Sequence, residues 1–220
     1  MRKILFVASI FWITINLNAQ IHSLGVLSGL NISNISAENI FNNTKNKIGF
    51  VGGIKYDVIF KNKLLIGADL LYSQQGFKDQ IIFRENEADP GYLVEGKFKY
   101  NYLILPIKFG YVLGNKVQIE PKIGIQPGII LKAKTLVPAI NEEFPKTTYN
   151  VTDKVTSIDL AGIVECEFCY KVVSNIGIFT LVSYKYSFTD FSNKDYYGEL
   201  SNLQHRILSV SLGLKYNFIK

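Results

Sequence analysis

Residues 117–131 read VQIEPKIGIQPGIIL. Val117, Ile119, Pro121, Ile123, Ile125, Pro127, Ile129 and Leu131 fall on one parity. Gln118, Glu120, Lys122, Gly124, Gln126 and Gly128 fall on the other, and Lys132 is expected to continue that polar row. Successive side chains of an extended strand point to opposite faces. The stretch is therefore a strand with one apolar and one polar face, and the fold turns on which solvent the apolar face meets. Each proline removes a ladder donor, a cost in a strand with two neighbours that is tolerable at bulges or strand ends.

The same alternation recurs at about 21–32, 48–60, 63–76, 98–112, 155–169 and 175–188, and in the terminal SVSLGLKYNFIK, residues 209–220. These eight segments run about 12–18 residues, whereas ordinary globular strands hold about five or six and a tilted membrane strand needs about 9–11 in the hydrocarbon alone. Connections near Lys61-Asn62, Gly114-Asn115 and Tyr170–Ser174 are short, while those at about 33–47, 77–97, 134–154 and 189–204 are long and polar. Short and long alternate, which places every tight turn at one end of an up-and-down barrel and every long loop at the other. Greek-key sandwiches give no reason for such a pattern. No stretch after the first twenty residues has sustained helical periodicity.

The segment MRKILFVASIFWITINLNAQ carries Arg2 and Lys3 ahead of an apolar core, Ile4–Ile15, followed by Leu17-Asn18-Ala19. It is expected to be a signal peptide, residues 1–19, leaving residues 20–220 as one outer-membrane β-barrel domain in a Gram-negative bacterium. The formal net charge of +6 is scattered, so nucleic acid is not an expected partner. Cys166 and Cys169 lie in an alternating segment, where residues three apart face opposite ways and lie too far apart for a disulfide.

The polar parity carries Lys55, Lys108, Lys122, Lys185 and Lys215 against Asp57, Asp69, Glu120, Asp159, Glu165 and Glu167, with glycine and serine filling much of the rest. That near balance suits a narrow interior in which charges pair and small residues make room for long ones. The apolar parity carries aliphatic residues mid-strand with Tyr and Phe towards the ends, as in an interfacial aromatic girdle. The expected fold is an all-β, eight-stranded antiparallel up-and-down transmembrane β-barrel with lipid outside. A soluble lipocalin-like barrel would turn the same faces the other way.

Ser211-x-Gly213-x-x-Tyr216-x-Phe218 resembles the C-terminal signal by which outer-membrane barrels are recognised by the barrel-assembly machinery, here followed by Ile219 and Lys220. KYNYLILPIKFGYVLGNKVQIEPKIGIQPGIIL, SIDLAGIVECEFCY and SYKYSFTDFS are similar to segments of the PorT-like outer-membrane β-barrel family of Bacteroidetes. The resemblance implies fold and location, and an accessory role in type IX secretion or gliding for some relatives.

A hydrolase would need a histidine with a nucleophile and an acid near the rim. The chain offers only His22 and His205, the latter with Ser201 and Glu199 nearby in sequence. No catalytic site, cofactor or metal site is expected. Eight strands leave an interior just wide enough for side chains, so a wide pore is not expected either; a small-solute channel is the alternative reading. The expected role is structural or interactive: outer-membrane lipid around the wall, the assembly machinery during biogenesis, and an unspecified secretion or surface partner at the long loops.

Overall fold

The computed structural model describes residues 21–36, 44–61, 63–83, 92–139, 145–191 and 203–219. The expected signal peptide lies outside them. The strands are β1 (Ile21–Ser36), β2 (Lys45–Ile59), β3 (Leu64–Phe83), β4 (Tyr92–Ile104), β5 (Ile107–Tyr111), β6 (Leu113–Gly114), β7 (Val117–Val137), β8 (Thr147–Asn150), β9 (Ile158–Val173), β10 (Ile176–Ser187) and β11 (Gln204–Ile219). All pairings are antiparallel. β4 and β5 form one strand interrupted at Leu105-Pro106, since both lie between β3 and β7. With that join the order β1-β2-β3-β4/β5-β7-β9-β10-β11 is a ring of eight, closed by pairing of β11 with β1 from Ile21↔Ile219 to Ser36↔Gln204. Closure leaves no row of unpaired backbone groups facing lipid.

The prolines of the decisive stretch sit where the ladder is interrupted. Leu105 donates its backbone N–H to Pro127 O at 2.9 Å, and Asp69 donates to Pro106 O at 3.0 Å. Proline has no N–H to return in either pair, and this is where β4 gives way to β5. Pro121 likewise lies opposite the junction of β5 and β6, between the pairs Gly110↔Lys122 and Leu113↔Ile119. Each proline thus costs one bond without shifting the register, in mid-strand rather than at a bulge or strand end.

The tight connections join β2 to β3, β6 to β7 and β9 to β10. In the second of these Gly114 takes a φ of 88°, a left-handed value that a side chain rarely adopts. The long connections differ from expectation. Much of 77–97 is ladder: β3 runs to Phe83 and β4 starts at Tyr92, with Gln80↔Glu95 and Phe83↔Tyr92 paired. β7 likewise continues to Val137 and pairs with β8. A register shift against β4 at Leu131 turns Lys132 to the outer surface, not to the polar row expected of it, and returns the buried parity to Ala133.

Outward side chains include Val26, Leu30, Ile54, Leu70, Ile123, Ile125, Val164, Ile178, Leu212 and Leu214, each at least 44 % exposed. Tyr56, Tyr111, Phe168, Tyr170, Tyr216 and Phe218 border this apolar wall at the tight-turn end, and Phe50, Tyr184, Tyr186 and Phe188 towards the other. Among the described residues no helix is long and apolar enough to cross a membrane. The strands make the crossing.

Candidate functional site

All eleven charged residues of the polar parity face the interior and are buried there: Lys55, Asp57, Asp69, Lys108, Glu120, Lys122, Asp159, Glu165, Glu167, Lys185 and Lys215. Strand parity aims them inward, and the ring brings together groups far apart in sequence. Their first cluster joins β2, β7, β9 and β11. Glu167 accepts from Lys122 and Lys215, each at 2.8 Å, and pairs with Lys55. Lys215 also reaches Glu120 at 2.5 Å, Lys122 meets Glu120 at 3.0 Å, and Asp57 lies 3.0 Å from Lys55 and 3.6 Å from Lys122. Three ammonium groups therefore face three carboxylates. Phe179 lies under Lys55 with the ring centroid 4.6 Å from Nζ.

The other groups form two smaller sets. Lys108 faces two carboxylates, Asp69 at 2.5 Å and Glu165 at 3.1 Å. Lys185 pairs with Asp159 and donates to Gln75 Oε1 at 3.0 Å, while Ser187 and Thr189 donate to Asp159 at 3.2 and 3.0 Å. Several carboxylate oxygens, Asp57 Oδ2 and Glu120 Oε2 among them, have ammonium neighbours at ion-pair distance without hydrogen-bond alignment. They are held by charge more than by directed bonds.

Asp57, Glu120 and Glu167 place ligand atoms within 4.8 Å of one another, as a metal site would. Lys55, Lys122 and Lys215 already stand among them with equal and opposite charge. A cation brought there would meet three ammonium groups first, so the cluster fits pairing rather than metal binding.

The inner face is more than polar, which the parity reading missed. Phe77, Phe98, Tyr100 and Tyr102 point inward from the long-loop halves of β3 and β4. Phe77 stacks on Phe98 with centroids 4.4 Å apart, and His205 stacks on Phe191 at the same spacing with Tyr100 edge-on at 5.4 Å. Two connections contribute to this plug: Val151 and Val155 flank a 3-10 turn, Thr152–Lys154, Val155 lying ahead of a strand that starts at Ile158 and not at 155 as expected, and Phe191 and Leu203 lie either side of residues 192–202. No alternation signals them, because they belong to no strand. At the tight-turn end Ile59, Leu65 and Val112 form a smaller apolar cluster with Ile21. Between the plug and the charges is a void of about 30 Å³ lined by Asn31, Ser73, Gln75 and Lys185 among others. That is room for water and too little for a metabolite.

His205 is fully buried against aromatic rings, with Tyr102 Oη 3.5 Å from Nε2. Ser201 and Glu199 lie outside the described residues. His22 is at the tight-turn end, where Nδ1 lies 2.6 Å from Tyr56 Oη. Neither histidine has a nucleophile beside it among the described residues. Cys166 and Cys169 are free, the latter buried inside and the former on the opposite parity.

Of the proposed assembly signal, Tyr216 and Phe218 face outward, their rings edge-on at 4.8 Å. Gly213 faces inward, where a Cβ would lie 2.3 Å from Phe179 Cζ and 2.4 Å from Val26 O. The glycine is thus required by packing, independently of recognition.

A family model described as outer membrane protein beta-barrel domain matches residues 18–193. Among solved structures, a major outer membrane protein of Thermus thermophilus is similar with a TM-score of 0.53 at 12% identity, covering 90% of this chain and 99% of its own. Ail of Yersinia pestis, solved with the heparin analogue sucrose octasulfate, aligns at 17% identity and a TM-score of 0.42, covering 90% of this chain and 99% of its own. Neisserial surface protein A aligns at 13% identity and a TM-score of 0.44, covering 89% of this chain and 97% of its own. No curated protein matches the chain.

Proposed function

The chain belongs to the outer membrane protein β-barrel domain family, and from that premise we propose that it is a closed, non-conducting barrel with a structural or interaction role exerted at its long-loop end. It resides in the outer membrane. The observation that carries the reading is the filled interior: paired charges across the middle, an aromatic plug at one end and an aliphatic cluster at the other. A barrel stopped at both ends offers no path for solutes, and what stays accessible is the wall and the connections. The small-solute channel is the competing reading. The void of about 30 Å³ speaks against it.

In this reading outer-membrane lipid surrounds the apolar wall, and the assembly machinery reads Gly213, Tyr216 and Phe218 during biogenesis. The finer kinship with PorT-like barrels, and with it an accessory part in type IX secretion, stays part of the same proposal; its support is the sequence resemblance alone. The test is electrical and biochemical together. Protein purified from outer membranes and reconstituted in planar bilayers should show no steady conductance, and crosslinking on intact cells should capture a partner through residues 84–91 or 192–202. A stable, large conductance from the wild-type chain would replace this reading with the channel.

A further inference from the structure

Beyond the interior, the outer wall carries a second concentration of charge, of one sign. Lys45, Lys78 and Lys97 form a row across β2, β3 and β4, each directly opposite the next in the ladder. On the same side Lys99 is opposite Lys134, and Lys132 is opposite Asn101. Like charges placed directly across a ladder repel. A ring of strands has no free edge for such lysines to protect, so edge protection does not explain them. Glu95 takes up part of the charge, 3.1 Å from Lys78 and 3.7 Å from Lys45, and the Lys78 ammonium holds its carboxyl below the usual range. Among the described residues Lys97, Lys99, Lys132 and Lys134 have no carboxylate at ion-pair distance.

Three of these lysines, Lys99, Lys132 and Lys134, border a hollow beside the row. Lys47, Lys99, Lys132 and Lys134, with Gln74 and Asn101, line a cavity of about 340 Å³. Its place on the wall is equally informative. Moving towards the tight turns, the same strands present Phe50, Leu103, Ile129 and Leu131 outward, all exposed on the apolar wall. The cavity therefore sits where hydrocarbon gives way to headgroups, on the leaflet at the long-loop end.

We propose that this basic hollow on β2, β3, β4 and β7 binds a phosphorylated lipid headgroup of that leaflet, with the lipid's acyl chains lying along Phe50, Leu103, Ile129 and Leu131. Three ammonium groups around a phosphate supply charge-assisted hydrogen bonds and relieve the repulsion of Lys99 against Lys134. The amides of Gln74 and Asn101 can donate to sugar or phosphate oxygens beside them. Because the lipid is anchored in the same wall, its headgroup is presented at high effective concentration. This inference rests on the outer-membrane location and not on whether the interior conducts.

The test uses protein folded in phosphatidylcholine nanodiscs, wild type against the K99Q/K132Q/K134Q variant, whose changes are on the outer surface. The probes are bisphosphorylated lipid A, the same lipid enzymatically dephosphorylated, inorganic phosphate, and a polysulfated polysaccharide. Native mass spectrometry counts bound lipid. The expected result is binding of phosphorylated lipid A at least tenfold tighter by wild type than by the variant, loss of that difference with the dephosphorylated lipid, and no displacement by millimolar phosphate. A K99R/K132R/K134R variant should keep the binding, which separates charge from folding defects. Equal binding by wild type and the Gln variant would overturn the proposal. Displacement by millimolar phosphate would overturn the lipid as source and leave a simple anion site. Polysaccharide binding tighter than lipid A, and lost in the Gln variant, would reassign the hollow to a soluble polyanion.

Discussion

Replacing Glu167 by Gln removes one negative charge from a cluster in which three ammonium groups face three carboxylates. Glu167 is the hub of that cluster, in contact with Lys55, Lys122 and Lys215. In the variant Asp57 and Glu120 alone must balance three buried cations. Breaking a buried pair by removing one partner costs about 3–5 kcal/mol, because a charge is left desolvated and uncompensated. With a denaturant slope of about 2 kcal/mol per molar urea, the midpoint should fall by about 1.5–2.5 M. Glu165 provides the contrast, since Lys108 also has Asp69 at 2.5 Å. E165Q leaves one cation against one carboxylate, and its midpoint should move by less than about 0.5 M, about 1 kcal/mol on the same slope. The assay is urea titration followed by the faster migration of the folded barrel on unheated gels. Intrinsic tryptophan fluorescence cannot report, because the single tryptophan, Trp12, lies before the barrel. Equal shifts for E167Q and E165Q would refute charge matching as the source of the effect.

Phe191→Ala opens the aromatic plug and should lower stability by about 3–5 kcal/mol, the range for a buried Phe, whereas replacing residues 84–91, beyond the last β3–β4 pair, by a two-residue Asn-Gly turn should leave the midpoint unchanged; the same gel assay reads both. Gly213→Ala should slow the appearance of folded barrel in vivo. The added Cβ meets the Val26 carbonyl as well as Phe179, so a second change of Phe179→Leu should rescue only part of the loss. In folded protein a lipid-soluble maleimide should label Cys166 and spare Cys169, and mild oxidation should not link the two, as mass spectrometry would read directly. Labelling of Cys169 ahead of Cys166 would reverse the facing of β9.

Parity along the strands was legible in the sequence because it is local. Each side chain's face follows from its neighbour's, so Ile123 and Lys122 declare their sides without knowledge of the rest of the chain. Lys132 was misread where that chain of inference broke, since a single extra residue at Leu131 swaps the faces and nothing in LKAK marks it. The plug was hidden for a different reason. From Tyr102 to Leu105 both parities are apolar, and just before them the polar parity, Lys99 and Asn101, is the one that faces outward, so Tyr100 and Tyr102 carry no sign that they face the interior while Leu103 faces lipid. Phe191 and Leu203 needed tertiary knowledge, as they lie in an irregular connection. The charged residues were legible as a set. Their partners were not, because pairing Lys55 with Glu167 spans 112 positions and depends on strand tilt as well as order.

The interior charges also bear on how the strands find their places. Counting only the lumen residues of the sets above, the β2–β3 hairpin carries Lys55, Asp57 and Asp69, a net −1. The β4/β5–β7 hairpin carries Lys108, Glu120 and Lys122, a net +1, and β9–β10 carries Asp159, Glu165, Glu167 and Lys185, a net −2. Lys215 alone gives β11 a net +1. No hairpin is neutral, and around the ring the signs alternate. A hairpin entering the bilayer alone would carry an unmatched ion into hydrocarbon, while one docking beside a neighbour of its own sign would be pushed away. The wall of the barrel thus contains an addressing scheme written in alternating polarity, which favours insertion in company and penalises strands joined in the wrong order.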